Sequence, residues 1–373
     1  MDADPALADA LGVPPDDLES LLEQFQHETF EGQRYRHLAD ARHGIERGTA
    51  IVAGGVVRGF PSIPRTLVLD PGVPGHFDGR LTIEEKRNGY NVRIARIDGD
   101  ILGFTRSGYL CPYTTATVRE LLDSGAFFEE HPDLMLCGEL IGPENPYTPH
   151  EYPDVESARI EVFDVRHRET GTALSVPRRR KLCETYDLPQ VPDFGEYDPA
   201  TAPEAVRSVI ADLDRERKEG VVMQSIDGTR QLKYTTSATH RADLEHAFSL
   251  PFDYGRDFVF PRIVREAFQA VELDHSKGES RQRARELGES ILLPAIETIR
   301  AVERSETVGE EHTVRADPDV IEALLSHLRN QGITIEIERD EREADQRVVT
   351  FVKVAQATRD NARDYLEGKL IDE

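Results

Sequence analysis

The stretch LTIEEKRNGYNVRIARI, residues 81–97, decides how this chain is read. Two apolar runs, LTIEEK and NVRIARI, read as strands, and the R-N-G between them interrupts the pattern. Lys86 ends the first run and Gly89 follows three residues later. A lysine has an ordinary pKa of about 10.4. It becomes a nucleophile at neutral pH only where a neighbouring cation or metal favours its neutral form. A glycine at this distance lets backbone approach a nucleotide closely. K-x-x-G is common, and a surface lysine before a turn is the ordinary alternative.

The surrounding pattern makes the segment part of a sheet-rich domain over residues 61–240. Proline and glycine punctuate further short runs: TLVLD, LMLCGELI, RIEVFDV, GVVMQS and RQLKY. Asp98-Gly99 and Asp227-Gly228 read as tight turns between strands. A helix is expected from TAPEAVRSVIADLDRERKEG, with Thr201 and Glu204 at capping-box spacing and Val206, Val209, Ile210 and Leu213 as its apolar stripe. This is an antiparallel-rich α+β domain. Ahead of it, residues 1–60 form a small leading module. Residues 16–27 are expected as an amphipathic helix through Leu18, Leu21, Leu22 and Phe25, and RYRHLADARHGIERGTAIVAGG as turns and short strands. Residues 241–310 read as helical. Ile263, Val264, Ala267, Phe268 and Val271 repeat at helical spacing, and a second helix over 280–300 is expected to break or kink at Pro294. A break, SETVGEEHTVRADPD, leads into a small α+β module, residues 311–373. That module is expected as helix 319–330, strand ITIEIE, strand VVTFVKV and helix 357–369.

The chain carries 70 acidic and 45 basic residues, for a formal charge of −25. Only 7 of those 45 are lysines. An acidic, lysine-poor surface suits high salt, where repulsion is screened, so a halophilic origin is expected. At molar salt the screening length is about 3 Å, so net charge does not exclude a local basic cleft for nucleic acid. No apolar run reaches transmembrane length and the opening MDADPALADA is not a secretory leader, so a cytoplasmic protein is expected. Cys111, Cys137 and Cys183 have no metal-ligand spacing and read as incidental thiols.

Nucleotidyl transfer to a lysine needs acidic residues for metal, a second cation for the phosphates and a flat apolar surface for the base. Each is offered on a separate run: Glu139 in LMLCGELIG, Glu219 before GVVMQS, Lys233 in RQLKY, and Phe163 with Asp164 in RIEVFDV. Singly, each also suits a solvated strand end or a core aromatic. Together and in order, E-K-R-N-G, F-T-R-S-G (104–108), C-G-E-L-I (137–141), V-F-D (162–164), E-G-V-V-M and L-K-Y resemble the motifs of the covalent nucleotidyltransferases, the DNA ligases, RNA ligases and capping enzymes. The stretches YRHLADARHGIERGT and YGRDFVFPRIVREAF extend the likeness to the archaeal homodimeric ATP-dependent RNA ligases that circularise single-stranded RNA.

That resemblance implies a ligase core with a small N-terminal module, a helical dimerisation domain (241–310) and a small α+β C-terminal domain. It implies that Lys86 becomes adenylated by ATP, that Arg106 and Lys233 contact phosphates, and that Glu139 and Glu219 lie at a magnesium site, with manganese an alternative. Phe163 would stack on adenine. Glu84, Glu85, Gly89 and Val221 complete the expected nucleotide-binding set. The RNA would present a 5′-phosphate and a 3′-hydroxyl. One departure is Gln231, where the family often has a further lysine; Arg230 is the expected substitute. Arg34, Arg36, Arg42 and Arg47 form a basic cluster suited either to RNA phosphate or to the chain's own carboxylates. No GxxxxGK[ST] loop and no ordered kinase motif set is present. The alternatives are a DNA ligase or capping-type enzyme, and a non-catalytic RNA-binding or assembly protein on the same fold.

Overall fold

The computed structural model describes residues 5–148, 150, 152 and 155–370. Among them lie 12 helices and 15 strands in four antiparallel sheets, an α+β architecture. Two four-stranded sheets form the centre. The first runs Asp193–Tyr197, Leu81–Lys86, Gly220–Ser225, Gln231–Thr235 across its width. The second runs Asp100–Thr105, Tyr90–Ile97, Leu134–Ile141, Arg159–His167. Residues 87–89 carry the chain from one sheet to the other, so R-N-G is the seam between them.

Each sheet has its own apolar layer. Beneath the first, Leu81, Ile83, Val221 and Met223 pack on Val206, Ile210 and Leu213 of the helix Ala202–Arg215. Beneath the second, Val92, Ile94, Leu136 and Val162 pack on Val118, Phe127 and Leu182 from three helices. The other face of the second sheet meets the leading module through Tyr35, Val52, Phe104 and Met135. Arg93 fastens that join. It is fully buried, and its guanidinium donates to the carbonyls of Gly48 (2.8 Å), Arg58 (2.5 Å) and Thr105 (3.0 Å). The turn at Asp98-Gly99 joins adjacent strands with both residues at positive φ (51° and 93°), as a two-residue hairpin requires. Asp227-Gly228 lies in the loop joining Gly220–Ser225 to Gln231–Thr235.

Four expectations are corrected. The helix expected over 16–27 ends at Leu22, and Phe25 opens the strand Phe25–Phe30. Phe25 still packs with Leu18 and Leu21, so the apolar spacing is satisfied across a helix–strand corner. Thr201 makes no capping box, because its hydroxyl donates to the Asp198 carbonyl (3.2 Å). Of the break or kink expected at Pro294, the break does not occur: the helix Lys277–Glu303 continues through it at the cost of one backbone bond, while packing along Ser237–Ser249 holds the turns around it. The charged break contains a strand, Gly309–Ala316, paired along its length with Gln346–Val354. His312 and Val314 are its buried positions, masked in sequence by the glutamates just before them.

The leading module is a four-stranded meander under two short helices, and the last module a three-stranded sheet with the helix Pro318–Asn330 against it. No helix among the described residues is long and apolar enough to cross a membrane. All three cysteines are buried and free.

Candidate active site

A cavity of about 470 Å³ opens between the two central sheets, with Arg87 and Gly89 of the seam among its lining residues. Register explains which residues reach it. In the first sheet Lys86 pairs with Gly220, so Glu219 lies one residue beyond and its Oε2 accepts from Lys86 Nζ at 2.6 Å. Glu84 pairs with Val222 and Val222 with Lys233, which puts Lys233 on the cavity wall two strands from the Lys86 strand. In the second sheet Asn91 pairs with Glu139, and Glu139 Oε1 accepts from the Gly89 amide at 3.2 Å. Arg106 follows the strand Asp100–Thr105 at the mouth. Phe163 lines the cavity with its ring edge-on to Phe60, centroids 5.1 Å apart.

The seam is held rigidly. Arg87 is buried between Glu85 and Glu161, with its Nε 2.6 Å from Glu161, and lies over the Tyr152 ring at 5.1 Å. The Tyr152 hydroxyl accepts from the Asn88 amide at 2.5 Å. Gly89 has no room for a side chain: a Cβ there would lie 2.1 Å from the Leu140 carbonyl oxygen. The glycine is therefore required by the close approach of the two sheets.

The charges at the floor perturb one another. Burial pushes the Glu139 carboxyl up to about 7, with Lys86 opposing the shift and Glu219 adding to it. Burial, Arg65 and Lys86 bring the Lys233 ammonium down to about 8. Opposed shifts in one cleft are characteristic of functional sites. No group of three or more His, Cys, Asp or Glu side chains among the described residues is arranged to hold a metal by itself. Glu139 and Glu219 instead flank Lys86 from two sheets. Two carboxylates suit a magnesium-like ion, which takes one or two from protein and its remaining ligands from substrate phosphates and water.

Among the expected residues, Lys86, Gly89, Arg106, Glu139, Phe163 and Lys233 line one cavity, and Glu219 joins them through Lys86. Glu84 and Glu85 also line it, but their carboxylates are engaged elsewhere: Glu84 by Arg179 and Arg180, Glu85 by Arg87 and Lys218. Val221 is corrected. It faces the apolar layer below the sheet, while Val222 lines the cavity, because neighbours on a strand point to opposite faces. Arg230 does not replace the missing lysine: it pairs with Asp78 (2.7 Å) and the His76 carbonyl, while Gln231 faces the cavity. Asp164 is fully buried and paired with Arg166, and Asp98 sits in its turn. The four leading arginines do not converge. Arg47 reaches Ser107 beside Arg106 (2.9 Å), whereas Arg34 and Arg36 alternate with the inward-facing Tyr35 and His37 and so occupy the opposite face of their strand.

Sequence reading missed Tyr109 and Gln331 at the cavity mouth and Arg87 in the seam. Arg87 was legible as a charge inside the motif. Gln331 comes from the last module, and nothing local marks it.

A lysine set between two antiparallel sheets, ringed by acids and cations from their strands, defines a covalent nucleotidyltransferase core. The chain belongs to the RNA ligase family, in its archaeal ATP-dependent group. The RNA ligase family model matches residues 79–236, and that for the C-terminal region of ligase Pab1020 matches 246–369. The uncharacterized protein MJ0414 of Methanocaldococcus jannaschii is 39% identical over 340 residues, 88% of this chain and 86% of its own. A solved structure of an archaeal ATP-dependent RNA ligase superposes with TM-score 0.92 at 38% identity, covering 98% of this chain and 99% of that one. A protein of Aquifex aeolicus provisionally assigned as an ATP-dependent DNA ligase superposes with TM-score 0.89 at 26% identity, covering 99% and 100%.

Proposed function

We propose that this ligase joins RNA 5′-phosphate and 3′-hydroxyl ends through an AMP carried on Lys86. The observation that carries the reading is the setting of Lys86: its amine lies at the cavity floor, held 2.6 Å from Glu219, with Lys233, Arg106 and Glu139 on the walls. In the first step the Nζ lone pair attacks the α-phosphorus of ATP. The bond to the bridging oxygen breaks, pyrophosphate leaves with that electron pair, and Nζ loses a proton. Lys233 and Arg106 place fixed positive charge where negative charge builds on phosphorus. Glu219 positions the amine. Phe163 supplies a face for adenine. The AMP then passes to the RNA 5′-phosphate, and the 3′-hydroxyl displaces it to close the phosphodiester.

Glu139 and Glu219 would hold a divalent ion, magnesium by its preference for hard oxygen ligands, with manganese as an alternative; when bound it neutralises phosphate charge. RNA is favoured over DNA because the 38%-identical relative is an RNA ligase, whereas the DNA ligase assignment belongs to a relative at 26%. Homodimerisation through the helical segment 241–310 is supported by Phe260, Val271, Leu292 and Leu293, exposed apolar side chains on its two long helices. Intramolecular sealing, giving circles, is part of the same reading. The acidic, lysine-poor composition supports a halophilic setting.

Intact mass after incubation with ATP and magnesium in high salt tests the lysine chemistry. Wild type is expected to gain one AMP and Lys86→Ala none. A folded wild-type protein with no adduct refutes the reading in favour of a non-catalytic RNA-binding protein. Sealing of 5′-phosphorylated RNA but not the matching DNA then separates the RNA from the DNA reading.

A further inference from the structure

Among the described residues, the last module reaches the cavity of Lys86 through one side chain, Gln331. Local helix geometry puts it there. The helix Pro318–Asn330 buries Ile321, Leu324, Leu325 and Leu328 against Cys111 and Tyr113 of the core. Gln331 caps that helix, and Gly332 (φ 79°) turns the chain away. His327 lies four residues back, on the same side of the helix. Its ring meets Tyr109 edge-on, centroids 6.0 Å apart, and Tyr109 itself lines the cavity. Arg315 with Glu144 (2.8 Å) and Lys353 with the Pro146 carbonyl (2.5 Å) fasten the same module to the core. Gln331 is thus carried to the cavity by a docked module.

Its amide has a fixed sense. Gln331 Nε2 lies 2.7 Å from His327 Nε2. An amide nitrogen only donates, so the ring nitrogen accepts. Burial brings His327 down to about 4, which keeps the ring neutral and its lone pair available. Gln331 Oε1 is left without a hydrogen-bond partner among the described residues. Lys86, Arg106, Lys233 and Glu139 suit phosphate and metal. A lone carbonyl oxygen does not hold a phosphate, which offers only acceptors; it takes a hydroxyl or an N–H. The amino group of adenine belongs elsewhere. Strand register sets Thr105, Val92, Gly138 and Val162 in one row across the second sheet. That row spans three strand spacings, about 14 Å. Phe163 follows Val162 at one end, while the Tyr109 carbonyl accepts from the Thr105 amide (2.9 Å) at the other. Gln331 stands at the Tyr109 end, away from the base, where ribose is the part of a substrate that offers a donor.

We propose that Gln331 recognises a ribose 2′-hydroxyl, accepting from it through Oε1, so that the C-terminal module supplies a contact by which this ligase selects ribose over deoxyribose. The ribose is that of an RNA end or of ATP. The 3′-hydroxyl of RNA is either esterified or the nucleophile, so the 2′-hydroxyl is the one free to be recognised, and it is the group that distinguishes RNA from DNA. His327 is a positioning residue, holding the amide so that its oxygen faces the substrate. This inference rests on the ligase reading above.

The test compares Gln331→Met and Gln331→Ala with wild type, with thermal midpoints on the same samples. Sealing is measured as kcat/KM on 5′-phosphorylated RNA oligonucleotides that are all ribose, 2′-deoxy at the first nucleotide, or 2′-deoxy at the last. Adenylation is measured with ATP and with 2′-deoxy-ATP. In wild type, removing the recognised hydroxyl is expected to lower kcat/KM about tenfold, the weight of one neutral hydrogen bond. Gln331→Met is expected to lose the same factor on the ribose substrate and nothing further on the deoxy one, with the midpoint kept. Such non-additivity in sealing assigns the hydroxyl to the RNA end, and in adenylation to ATP. His327→Phe, which keeps a ring against Tyr109 and releases the amide, is expected to lose part of that factor, again only on the ribose substrate. Losses that simply multiply in both arms, or an unchanged kcat/KM in the Gln331 variants, overturn the inference while leaving the ligase reading standing. A wild type that forms no adenylate overturns both.

Discussion

Adenylation should follow a narrow bell in pH whose two limbs belong to Glu139 and Lys233. Glu139 must be ionised to serve as a ligand, and its carboxyl is pushed up to about 7 by burial. The rate should therefore rise as pH passes 7. Lys233 must be protonated to meet phosphate charge, and its ammonium is brought down to about 8 by burial, Arg65 and Lys86. About nine in ten molecules carry that charge at pH 7 and about one in ten at pH 9. Bound ATP restores the proton, so the fall belongs to kcat/KM, which reports the free enzyme, and not to kcat. Single-turnover adenylation at varied ATP, with free magnesium held constant, measures it. The expected result is about a tenfold loss of kcat/KM per unit above pH 8. Lys233→Arg, whose guanidinium keeps its charge throughout, should remove the alkaline limb even if it lowers the plateau. Glu139→Gln should lower the plateau and remove the acid limb. An alkaline limb that survives unchanged in Lys233→Arg would refute the assignment.

Gly89→Ala should abolish adenylation, since its Cβ would meet the Leu140 carbonyl at 2.1 Å; intact mass reads the loss. Val221→Ala should cost about 1–2 kcal/mol of stability in denaturant titration and leave the Michaelis constant for ATP alone, while Val222→Ala should do the reverse. Arg93→Met should destabilise the protein by about 2–6 kcal/mol, from about 1–3 for each of the Gly48 and Arg58 carbonyls left without a donor, and thermal melting measures it. Glu310 is held well below the usual carboxylate range by hydrogen bonds from His246 and His312, so its contribution is present above about pH 4.3 and is lost as pH falls through its lower folded value. The wild-type melting point should therefore drop more steeply below pH 4.3 than that of Glu310→Gln.

The central segment was readable because its information is local. A lysine ending an apolar run, a glycine three residues on, and acids embedded in strands are anomalies of burial that sequence displays directly. Lys86, Gly89 and Glu139 stood out for that reason, Phe163 and Lys233 only once the motifs were read together in order, and the strand-rich character of 61–240 and the helices after it followed from their apolar spacing. Register escapes such reading. Val221 and Val222 are equally apolar, and which one faces a ligand depends on the Lys86–Gly220 pairing of a neighbouring strand. The strand Gly309–Ala316 was hidden because its exposed alternation is charged, and its identity as a strand comes from a partner almost forty residues away.

The sequence alone thus determined which groups are on offer, a lysine with acids, cations and an aromatic in a diagnostic order. Tertiary structure decided which charges meet. It turned Arg230 outward, divided the leading arginines between two faces, and brought Gln331 to the cavity of Lys86. Pairing of that kind depends on backbone register and helix docking, which are set by burial summed over whole sheets rather than by any residue's own neighbours.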